Sequence, residues 1–98
     1  MTFEEAKNTF ADSFKEAGGC NWDNTGEFVI GTNNKNVKVK VYEDSNDFCV
    51  LLKPYCIERW SGSLTAVKLG KASVEQIAEL GKRTAKTCFD ALARKEDN

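Results

Sequence analysis

Val37-Lys38-Val39-Lys40-Val41-Tyr42-Glu43-Asp44-Ser45-Asn46-Asp47-Phe48-Cys49-Val50-Leu51-Leu52-Lys53 is the stretch that decides the fold. Val37, Val39 and Val41 alternate with Lys38, Lys40 and Tyr42. A period of two is what a strand with one buried face requires, because successive side chains point to opposite sides. Phe48 to Leu52 supplies a second apolar run. The polar link Glu43–Asp47 between them predicts an antiparallel hairpin.

Outward from this pair, Glu27 to Thr32 reads as an earlier strand, with residues suited to a pleated surface. Asn33-Asn34-Lys35-Asn36 reads as the loop that joins it to the pair, since asparagine tolerates positive φ. Pro54 cannot donate to a ladder and marks the end of the third strand or an edge. Tyr55–Trp60 and Leu64–Leu69 are read as a fourth and a fifth strand around the turn Ser61-Gly62-Ser63.

Both ends of the chain are helical in pattern. Thr2 with Glu5, and Ser73 with Gln76, form capping boxes, in which side chains satisfy amides that a first helical turn leaves unpaired. Phe3, Ala6, Phe10, Phe14 and Ala17 make one apolar stripe, and Gly18-Gly19 ends that helix. Val74, Ile77, Ala78, Ala85, Cys88, Phe89 and Leu92 make a broader apolar face on a helix that runs from Ser73 to about Arg94. Gly81 lies inside it at a cost of about 1 kcal/mol relative to alanine, which predicts a close approach of another backbone.

The fold class expected is α+β: a two-layer sandwich with an N-terminal helix, an antiparallel meander of three to five strands and a C-terminal helix. Both helices are expected on one side of the sheet. The 98 residues make one domain, 1–98, without repeats or linkers.

Composition limits the function. Fourteen basic and fifteen acidic residues leave a net charge of −1, so no global attraction to nucleic acid or an acidic membrane arises. No apolar run approaches the roughly 18 residues of a membrane span, and no secretory signal opens the chain, so a cytoplasmic location is expected. Cys20, Cys49, Cys56 and Cys88 stand 29, 7 and 32 residues apart, too far for the close ligand pairs of structural zinc sites. They read as thiols acting as small hydrophobes.

Histidine is absent, which removes the commonest general base and the usual activator of serine or cysteine nucleophiles. No phosphate loop, nucleophile elbow, dinucleotide fingerprint or calcium loop is present, so no catalytic residue and no cofactor is nominated. The expected role is non-enzymatic.

Two surfaces are candidates for binding. If the valines of the central strand face the helices, Lys38, Lys40 and Tyr42 face away, together with Val29, Cys49, Leu51 and Lys53. Apolar and aromatic groups ringed by charge compose many protein-binding patches. Val29, Lys38, Lys40, Tyr42, Leu51 and Trp60 are therefore the residues assigned to a protein partner, a second copy of the chain included. This places the chain among small accessory or inhibitory proteins, those of phages and mobile elements included.

The alternative surface is basic. Lys82-Arg83-Thr84-Ala85-Lys86, followed by Phe89 and Leu92, resembles the basic signature on the last helix of double-stranded RNA-binding domains. That resemblance implies phosphate contacts from Lys82, Arg83 and Lys86. In the family the basic run opens the helix and a histidine lies in the first hairpin loop. Here the run lies more than two turns inside the helix, and there is no histidine.

Overall fold

The computed structural model describes residues 1–18, 21–22, 27–31, 36–54 and 65–93. Helix α1 (Phe3–Gly18) leads into β1 (Asn21–Trp22), β2 (Glu27–Gly31), β3 (Asn36–Asp44), β4 (Asp47–Pro54) and β5 (Thr65–Lys68). A 3-10 turn (Leu69–Lys71) then leads into α2 (Val74–Ala93). The strands form one antiparallel sheet in the order β1-β2-β3-β4-β5. The α+β arrangement expected from the sequence is the one observed.

The predicted central hairpin is tighter than the five-residue link suggested. Pairing continues to Asp44 opposite Asp47, so the turn is only Ser45-Asn46, with φ of 52° and 68°. Two successive positive φ values match a type I′ turn, whose twist suits the strands it joins. Val39 faces Leu52 across this ladder and Val41 faces Val50. A short strand also forms at Asn21–Trp22. The expected strand over Tyr55–Trp60 lies outside the described residues.

One side of the sheet holds the core. Phe28, Ile30, Val37, Val39, Val41, Phe48, Val50 and Leu52 are buried there against Phe10 and Phe14 of α1 and Ile77, Leu80 and Cys88 of α2. Phe10 is central, with ring centroids 5.6 Å from Phe14, 5.5 Å from Phe28 and 5.7 Å from Phe48. Burial of each such side chain contributes about 1.5–3 kcal/mol, and the tilted ring pairs add to it. Both helices therefore lie on the same side, as the two apolar stripes required.

The helices pack tightly because of two small residues. A β-carbon on Gly81 would sit 3.0 Å from the Phe10 carbonyl oxygen and 3.0 Å from Ser13 Cβ. The Ser13 hydroxyl donates to the carbonyl of Ala78. At the far end Gly18 approaches the ring of Phe89. These contacts run in step along both helices, so α1 and α2 point the same way. Two residues of the expected apolar face of α2 are not core: Val74 is 58% exposed and Phe89 42% exposed. Val74 stands in the first turn of the helix, and Phe89 lies beside Gly18 at the end of α1.

Both capping boxes form. Thr2 N–H donates to Glu5 Oε1 (2.8 Å) and Glu5 N–H to Thr2 Oγ1 (3.1 Å). Ser73 and Gln76 exchange equivalent bonds at 3.0 and 3.1 Å. Among the described residues, no helix is long and apolar enough to cross a membrane.

Candidate partner-binding face

The reverse side of the sheet carries neither helix. Register orders its residues into rows across the strands. Val29 lies beside Lys38 and Lys38 beside Lys53; Glu27 lies beside Lys40 and Lys40 beside Leu51. The next row is Tyr42, Cys49 and Ala66, and the last is Asp44, Asp47 and Lys68. Five residues expected to form a binding face, Val29, Lys38, Lys40, Tyr42 and Leu51, are thus brought together. Trp60, the sixth, lies outside the described residues.

Exposure within the face is graded. Lys38, Asp44 and Ala66 are exposed, whereas Val29, Lys40, Tyr42, Leu51 and Lys53 are partly covered. Cys49, which register places on this side, is only 5% exposed, in keeping with a thiol acting as a small hydrophobe. Its thiol lies 3.8 Å from the carbonyl oxygen of Asp47, a weak sulfur contact. Partial desolvation, then the neighbouring Cys49 and Asp44, hold the Tyr42 phenol above the ordinary tyrosine range. Tyr42 is therefore a neutral hydroxyl at physiological pH, an apolar ring with a polar tip.

Two cross-strand pairs carry like charge. Lys38 opposes Lys53, and Asp44 opposes Asp47. Like charges placed directly opposite each other are unfavourable by roughly a few tenths of a kcal/mol. At the acidic pair, Lys68 Nζ comes within 3.7 Å of Asp47 Oδ1. That oxygen is buried and has no hydrogen-bond partner, so the lysine supplies charge at a distance without satisfying it. Asp44, Asp47, Ala66 and Lys68 were not foreseen as part of the face. Only the pairing of β5 with β4 places the last two there.

The basic alternative on α2 is exposed at Lys82, Arg83 and Lys86, while Thr84 and Ala85 between them are buried. Its charges are interleaved with acids. Lys86 Nζ binds Asp90 at 3.3 Å, and Arg83 shares a shallow hollow of about 420 Å³ with Val67, Glu75, Gln76 and Glu79. The Thr84 hydroxyl donates to the Leu80 carbonyl at 2.8 Å, within its own helix.

Among the described residues, no three of Cys, Asp and Glu lie close enough together to hold a metal ion. Cys49 and Cys88 are buried; Cys20 and Cys56 lie outside the described residues. Comparison with protein-family models, with curated proteins and with solved structures finds no match to this chain.

Proposed function

We propose that the chain is a non-enzymatic protein-binding module that acts through the helix-free face of its sheet, as small accessory or inhibitory proteins do. The observation that carries this reading is the composition of that face: Val29, Tyr42 and Leu51, partly exposed, among Lys38, Lys40 and Lys53. Aromatic and aliphatic groups there can be desolvated by a partner, while the lysines stay at the rim and set orientation. The basic run of α2 is the weaker candidate, because Asp90 engages Lys86 and acids flank Arg83, which offsets the field a phosphate would feel.

The test is affinity capture with the wild-type chain beside a Tyr42→Asp/Leu51→Asp variant. Loss of captured protein with an unchanged circular dichroism spectrum is the expected result. Capture that survives both substitutions would remove this face from consideration. Retention on RNA that falls steeply with salt and depends on Lys82 and Arg83 would favour the α2 surface instead.

A further inference from the structure

We draw no further inference here: the strongest candidate, the shallow hollow between β5 and the N-terminal half of α2, sets a single valine, Val67, among the side chains of Glu75, Gln76, Glu79 and Arg83, and nothing in the structure shows what covers it.

Discussion

Val50 and Leu51 are adjacent in β4, yet one is fully buried under the helices and the other lies partly exposed on the reverse side. The same alternation separates Val39 from Lys40 and Val41 from Tyr42. The covered side is apolar apart from the exposed Glu43 beside Phe48, and is closed by phenylalanine rings from three elements. The open side mixes lysine, aspartate, tyrosine and leucine, and its cross-strand neighbours include two like-charged pairs. Stability accounts for the buried residues of the first surface. The second carries departures from what a sheet prefers locally.

Substitutions on the two surfaces should therefore differ in kind. The largest effect is expected for Phe48→Ala, which removes a fully buried ring that contacts Phe3 and Phe10 at 5.7 Å each. A loss of about 3–5 kcal/mol, read from urea denaturation, would leave little of a small domain's total stability. A loss under about 1 kcal/mol would mean that the covered side is not the core.

Gly81→Leu comes next. Its side chain has to displace backbone of α1, and a cost of about 1–3 kcal/mol is expected despite leucine's better helix propensity. A gain in stability would show that the two helices separate easily, and with them the cover over the sheet.

Smaller still is the N-terminal cap. Thr2→Ala should cost about 1 kcal/mol in the same assay. Hydrogen bonds from the Thr2 backbone and hydroxyl hold the Glu5 carboxyl below the ordinary glutamate value. A lowered folded value means that this contribution is present above about pH 4.5 and fades as acid titrates the folded state. Glu5→Gln should flatten that part of the stability–pH curve, and an unchanged acid slope would assign it to other carboxylates.

The smallest effect on stability is expected on the open side. Leu51→Asp and Tyr42→Asp should each shift the unfolding free energy by no more than about 1 kcal/mol while altering association. Global unfolding by either one would erase the distinction between the surfaces.

Much of the covered side is legible from the chain alone. Alternation over Val37–Val41 fixes which residues face inward, and the two capping boxes mark both helix starts to within a residue. Gly81 announces the helix contact because a glycine in mid-helix is otherwise unfavourable. Other features depend on tertiary placement. Two residues at Asn21–Trp22 are too few to show a period. Val74 and Phe89 fit the helical stripe of α2, yet both are exposed. The candidate face was half legible: Lys38, Lys40, Tyr42 and Leu51 follow from periodicity. Its cross-strand rows do not, because Lys53 comes to lie beside Lys38, and Asp47 beside Asp44, only through the hairpin register that the two-residue turn imposes.

The common heading of α1 and α2 carries a rule of parity. Among the described residues five strands, each antiparallel to the next, lie between the helices, and an odd number of them agrees with the last helix leaving in the direction of the first. Gain or loss of one strand would flip α2 end for end and carry Gly81 away from Phe10 and Ser13.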